Sequence, residues 1–573
     1  MLRQLNPGTT EMRASFWRRH RGLKWLALSC SIFLVILSVF TVIAARRAEP
    51  FLRSLIVEWL EQKFQARVEL DSFHVSIAEG VRAEGKGLRI WPPAQLIGVA
   101  NGTQTPGKPL IDLAEFSFRA PLHYSSGKPI RISQITLRGL DIDIPPRPHP
   151  TQGETTVEAA PPQSSTGSQV AAGSQSAAGS KPSGLRGLGP LNFVIGRVVC
   201  TEARVTLENR NPAKEPLDFE IQSLKVTHIS AGGTMDFEAT LTNPRPRGLV
   251  KTKGNLGPWQ VQDPGMTPLK GNYTFNNADL GTFKGISGTL NSTGSYEGPL
   301  RNLTVDGVTD TPNFALTHFG TPMPLQTQFH AQVDGTNGDT YLQPVNATLG
   351  HTQFSTQGKI VGLPGQPAAN GKPAQGGGHE IELDVNVPNG QIADFLRLLS
   401  QSGNPMLTGT LHMKAWLDIP PGSNPVHERM QMKGNFLLND AEFTSQKVQE
   451  HVGELSLRGQ GKPQDTKTAA VGTVRSTMKS DFTMENAVIN LPNLVYTVPG
   501  AEINLSGNYD EDGGGLDFKG NAKMQATVSQ MVGGWKGVLL TPMDRFFKKN
   551  GAGTQVKIHV DGTRADPHFG VDF

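Results

Sequence analysis

From Val68 onward, apolar and polar residues alternate with a period of two. Val68-Glu69-Leu70, Val75-Ser76-Ile77, Ile130-Arg131-Ile132, Leu140-Asp141-Ile142-Asp143-Ile144 and Val205-Thr206-Leu207 all do so. Met235, Phe237, Ala239 and Leu241 share one parity, as do Ile381, Leu383, Val385 and Val387, and, late in the chain, Val556, Ile558 and Val560. Successive side chains of an extended segment point to opposite faces, so this pattern predicts antiparallel strands with one apolar and one wetted face. On the order of 25 such strands are expected, each closed by Gly, Pro, Asn or Asp.

An apolar sheet face has to be covered by another sheet, by helices or by an apolar ligand. Helical periodicity is too scarce here to cover so many strands. What remains is sheet on sheet, or a sheet folded into a trough. At ~4.8 Å per strand, strands in series would extend roughly 120 Å. A trough walled by Val, Ile, Leu and Phe would offer acyl chains an apolar track, each fully buried CH₂ being worth about 0.8 kcal/mol. Candidate lining residues are Ile381, Leu383 and Val385, with Val556, Ile558 and Val560. The alternation leaves open whether the trough is empty or filled by protein.

Helical spacing appears at three places. Pro50 opens one segment, followed by Phe51, Leu52, Leu55, Ile56, Trp59, Leu60 and Phe64, with Arg53, Glu58 and Glu61 on the other face. It reads as a helix capping a β-core or lying on a membrane leaflet. Ile392, Phe395, Leu396 and Leu399 mark a short helix. Val528, Met531, Val532, Trp535, Val538 and Leu539 mark a longer one, ended by Pro542. This last stripe fits core packing, or a plug or contact face for a partner.

Ahead of all these, Leu26 to Ala45 is a run of twenty residues without a charge. As a helix it spans ~30 Å, the thickness of a bilayer's hydrocarbon core. Arg13, Arg18, Arg19, Arg21 and Lys24 precede it, with Trp17 and Trp25 at headgroup level, which keeps the N-terminus cytoplasmic and exports the rest. A cleaved signal peptide is the competing reading, but the run exceeds the usual apolar core of one.

Residues 145–188 open with Pro-Pro-Arg-Pro-His-Pro and continue as a Ser/Gly/Ala/Gln tract, a composition that cannot bury a core. Residues 364–379 form a shorter Gly/Pro-rich loop. The expected organisation is therefore a basic tail (1–24), an anchor (25–45), a first helix-and-β unit (46–144), a low-complexity linker (145–188), a central β region (189–363), a loop (364–379) and a C-terminal β region with an amphipathic helix (380–573). The 64 Gly and 41 Pro fit many short strands rather than helical bundles, and a net charge of +4 concentrated at the N-terminus argues against a nucleic-acid surface. Two cysteines, Cys30 and Cys200, support neither a disulfide framework nor a metal site.

Catalytic signatures do not assemble. Gly80 to Lys86 begins like a phosphate loop, but Gly87 stands where Ser or Thr would bind magnesium. Asn508, Asp510, Asp512 and Gly513 begin like a calcium loop, but Lys519 stands where a bidentate Glu is required, and a hairpin turn explains them more simply. No His-x-x-x-His pair and no Gly-x-Ser-x-Gly elbow occurs. No catalytic, metal-binding or cofactor-binding residue is expected.

Several segments resemble the AsmA-like family of bacterial envelope proteins. Residues 58–91 (EWLEQKFQARVELDSFHVSIAEGVRAEGKGLRIW) are similar to its opening helix and strands. Residues 271–314 resemble its repeating β-unit, and 405–422, 434–461, 498–520 and 551–573 resemble its C-terminal region. The resemblance implies a mainly β protein: one N-terminal transmembrane helix, then an elongated, curved antiparallel β-groove with a few short helices, projecting from the inner membrane into the periplasm. It implies a role in outer-membrane biogenesis, with phospholipid as ligand and a possible outer-membrane or periplasmic protein partner. The alternative is a non-enzymatic scaffold that regulates outer-membrane protein targeting through protein contacts.

Overall fold

The computed structural model describes residues 50, 53–54, 56–58, 60–61, 66–76, 81–91, 108–120, 130–144, 193–208, 215–229, 233–260, 263–283, 285–317, 319–363, 378–398, 405–422, 424, 426–463, 474–510, 514–532, 553–563 and 567–572. The chain is mainly β, and its strands are mostly antiparallel. It separates into two units, Met1–Arg210 and Asn211–Phe573. The basic tail and the apolar run Leu26–Ala45 lie outside the described residues. Among the described residues no helix is long and apolar enough to cross a membrane.

In the first unit, Val68–Ser76, Val81–Ile90, Ile111–Ala120 and Gln134–Ile144 pair antiparallel in series. Directly opposed residues share a face, so the register builds apolar rows across the sheet. One runs Leu70–Leu88–Leu113–Leu140, and another Phe73–Gly85–Phe116–Leu137. The described positions of the segment opened by Pro50 are helical. Ile56 and Val57 pack there on the buried Leu70, Phe73 and Ala83, as a helix capping a β-core would.

One pairing departs from the all-antiparallel expectation. Phe193–Leu207 runs parallel to Gln134–Ile144 and to Ile130–Ile132. Parallel neighbours cannot be joined by a tight turn and need a crossover of a dozen residues or more. The residues between Ile144 and Phe193, which include the low-complexity stretch, supply that length.

The second unit is a long meander. From Leu217–Ile229 to Pro567–Asp572, each strand pairs antiparallel with the next, apart from the two-residue strand Ile286–Ser287, which pairs only with Leu303–Leu316. Thr352–Leu363 and Gly378–Gln391 pair directly, so residues 364–377 connect neighbours within this unit rather than divide it. The imitation calcium loop joins Ala501–Asp510 to Gly515–Met524, which form a hairpin.

Helices Ile392–Leu398 and Gln446–Gly459 pack on the sheet and create its buried clusters. Ile392 and Phe395 lie against Leu411, Leu438 and Ala441. Val452 and Leu455 join Tyr496, Val498 and Ala501. The short helix Val528–Val532 packs against Gln446–Gly459.

Candidate functional site

The register of the second unit places one uninterrupted row of apolar residues and glycines across the sheet. It runs Val226–Phe237–Gly254–Gly271–Tyr296–Val305–Ala331–Leu342–Gly358. It continues Leu383–Leu417–Met432–Met484–Ile489–Tyr509–Leu516–Gly562. Every successive pair stands directly opposed, so parity is kept from strand to strand despite bulges elsewhere.

Ile381, Leu383 and Val385 lie on this face. The row reaches Gly562, two residues from Val560, so Val556, Ile558 and Val560 lie on the same face although many strands separate the two groups. All six are half-buried. Val556 also heads a second row, Ala522–Ile503–Tyr496–Met478–Leu438–Leu411.

The two rows differ in cover. Leu411 and Leu438, close to the helix Ile392–Leu398, are 3% and 2% exposed. Along the long row most residues are only half-buried; Gly271, Ala331 and Met484 are the buried ones. Flanking strands alone bring apolar side chains to this intermediate state; a second packed layer would take them to full burial.

Gly254 and Gly271 stand opposite one another between Phe237 and Tyr296. A Cβ on Gly254 would overlap the Lys270 carbonyl oxygen, and one on Gly271 would meet the Tyr296 hydroxyl. The backbones therefore approach closely here, and the tyrosine covers the gap that the missing side chains leave. Tyr273 stacks on Tyr296 with ring centroids 6.5 Å apart, and burial pushes both phenols above their ordinary pKa.

Hydroxyls on this face bond to one another: Thr309 Oγ1 to Thr327 Oγ1 at 2.7 Å, Tyr273 to Ser292 Oγ at 3.1 Å, and Ser292 Oγ to the Val308 carbonyl at 3.0 Å. Their polarity is thus largely satisfied within the wall.

Of the candidate end-helix residues, Val528, Met531 and Val532 lie on the helix Val528–Val532, with Val532 39% exposed. Trp535, Val538 and Leu539 lie outside the described residues.

The opposite face is polar and mostly charged. Lys270 pairs with Glu297 at 2.9 Å and Lys359 with Glu382 at 2.6 Å, and the Lys433 ammonium sits 4.5 Å from the Trp416 ring centroid. The hydrogen bond from Lys359, joined by one from Trp416, holds the Glu382 carboxyl below its ordinary range.

Over part of this polar face the charges thin out. One row runs Asn291–Asp310–Gln326–Thr348–Gln353, and its neighbour Thr293–Val308–Gln328–Asn346–Ser355. Together with Pro388 and the row between them, Ser292–Thr309–Thr327–Ala347–Phe354, they line a cleft of about 720 Å³. The sequence reading missed this cleft. Its only signal was an unusual run of Asn, Gln and Thr at outward strand positions.

Among the described residues, no group of three or more His, Cys, Asp or Glu is placed to hold a metal. No protein-family model, curated protein or solved structure matches the chain.

Proposed function

We propose that the chain is an inner-membrane-anchored periplasmic protein of outer-membrane biogenesis that binds or conducts phospholipid along the apolar face of its second unit. The carrying observation is the half-buried apolar row from Val226 to Gly562. The apolar run Leu26–Ala45 and the resemblance to AsmA-like proteins agree with this reading. Transport as well as binding follows from what the row lacks. A fully buried CH₂ gains about 0.8 kcal/mol, and a chain laid against one wall gains a fraction of that at each position. With an apolar side chain or a glycine on strand after strand and no charged group in the row, no ionic contact holds the chain in place.

The reading is tested on the full chain purified in lipid nanodiscs. Phospholipid retained after transfer to lipid-free amphipol is counted by mass spectrometry and compared with a Leu417→Asp, Met432→Asp variant of unchanged circular dichroism. Retention that the variant abolishes supports the proposal. Equal retention, or none in either protein, rejects it.

Contact with a protein partner is the second reading. Val448 and Val532, each 39% exposed, lie on two helices that pack on one another. Site-specific cross-linking from Val448 to one defined envelope protein, with no lipid adduct on the apolar row, would favour a scaffold instead.

A further inference from the structure

We propose that the cleft lined by Gln328, Asn346 and Gln353 is a binding site for a neutral oligosaccharide. The cleft, about 720 Å³, has the size of a small-ligand site. Its lining mixes amides and hydroxyls with four apolar residues, Val308, Ala347, Phe354 and Pro388, and a single carboxylate, Asp310, which already accepts a hydrogen bond from Gln326 Nε2 at 3.2 Å. A second cleft, lined among others by Lys225, Asp236, Glu238, Lys253, Lys270, Glu297 and Asp306, is by contrast heavily charged.

The hydrogen-bonding inventory selects the ligand. Gln328, Asn346 and Gln353 make no side-chain hydrogen bond to any described residue, and each amide offers two N–H donors and a carbonyl acceptor. Groups that donate and accept side by side match vicinal hydroxyls, which do the same. A phosphorylated or carboxylated ligand would meet no cation among the lining residues. An added peptide strand would need a free sheet edge, and the strands that meet here are paired on both sides.

Val308 supplies the remaining element. It is 49% exposed amid the polar rows, an apolar platform for the C–H face of a pyranose. The polar groups also recur from strand to strand at ~4.8 Å, close to the repeat of a sugar along an extended glycan. Gln328, Asn346, Gln353 and Val308 have the parity opposite to the apolar row, so substitutions there leave that row untouched.

The test uses the full chain in nanodiscs and three neutral probes: maltotetraose, cellotetraose and the β-1,4-linked tetramer of N-acetylglucosamine. Binding is measured by isothermal titration calorimetry for the natural chain, for Gln328→Ala with Asn346→Ala, and for Val308→Asp. All three positions are exposed, and unchanged circular dichroism verifies each fold. The expected result is binding of at least one probe, weakened about tenfold or more in both variants, with retained phospholipid unchanged. Failure of all three probes to bind, or binding that both variants leave intact, overturns the proposal.

Discussion

The Thr352 hydroxyl donates to the Asp394 carboxylate at 2.8 Å, and both residues are buried, at 0% and 1% exposure. The same hydroxyl accepts from the Gln391 backbone N–H at 2.8 Å, and the carboxylate accepts from the His351 backbone N–H at 3.0 Å. Asp394 stands in the first turn of Ile392–Leu398, where a negative charge suits the helix dipole. The pair thus ties this helix to the end of strand Thr352–Leu363. Thr352→Val keeps the shape and leaves the carboxylate one donor short, which costs about 1–3 kcal/mol. Denaturant unfolding should show that loss, and an unchanged midpoint would contradict it.

Helix Gln446–Gly459 meets the sheet through Gln449, Val452, Gly453, Ser456 and Gly459. Ser456 Oγ donates to the Pro499 carbonyl at 2.8 Å, and Gln449 bridges the Phe443 N–H and the Val474 carbonyl. A Cβ on Gly459 would stand 2.5 Å from the Gly500 carbonyl oxygen. Gly459→Val should therefore push the helix off the sheet at a cost of roughly 1–3 kcal/mol. Hydrogen exchange at Val498 and Ala501 would speed up. Exchange at the natural rate would show that the backbone approach is not tight.

At the opposed pair Gly254 and Gly271, Gly254→Val forces a side chain against the Lys270 carbonyl. The expected outcome is a thermal midpoint lowered by the equivalent of about 1–3 kcal/mol and loss of the Tyr273–Tyr296 stacking signal in near-ultraviolet circular dichroism. A variant with the natural spectrum would show that the strands can part without consequence.

Burial raises the phenol pKa of Tyr273 and Tyr296 above 10.0. An acid whose folded pKa is raised holds its proton more tightly in the folded state. The stability it contributes is full below the unfolded value and is lost as pH rises through the folded one. Spectrophotometric titration of the six tyrosines should therefore show a subset ionising at higher pH than the rest, with unfolding promoted as that subset ionises. One uniform transition at the ordinary tyrosine value would contradict the burial.

Strand identity was legible because period-two alternation is a backbone property: Ile381, Leu383 and Val385 share a face in any register. That this face also carries Val556, Ile558 and Val560 was not legible, because it depends on every intervening register and bulge. The helix Gln446–Gly459 escaped notice for a different reason. Its buried side holds one large apolar residue, Val452, among Gln449, Gly453, Ser456 and Gly459, too little for a clear apolar stripe, while Val448 is exposed. The parallel strand Phe193–Leu207 alternates like its antiparallel neighbours, and strand direction leaves no trace in alternation. The cleft around Gln328 was hidden because outward polar residues look alike until concavity and register group them.

Photo-cross-linking in living cells tests the lipid path most directly. A photoreactive amino acid is placed in turn at Val226, Val305, Leu383, Leu417 and Ile489 on the apolar row, and at Lys225, Asp384 and Asn490 on the opposite face. Phospholipid adducts at all the row positions and at none of the others are the predicted result. Adducts absent from the row, or equally frequent on both faces, would contradict a lipid path along this sheet.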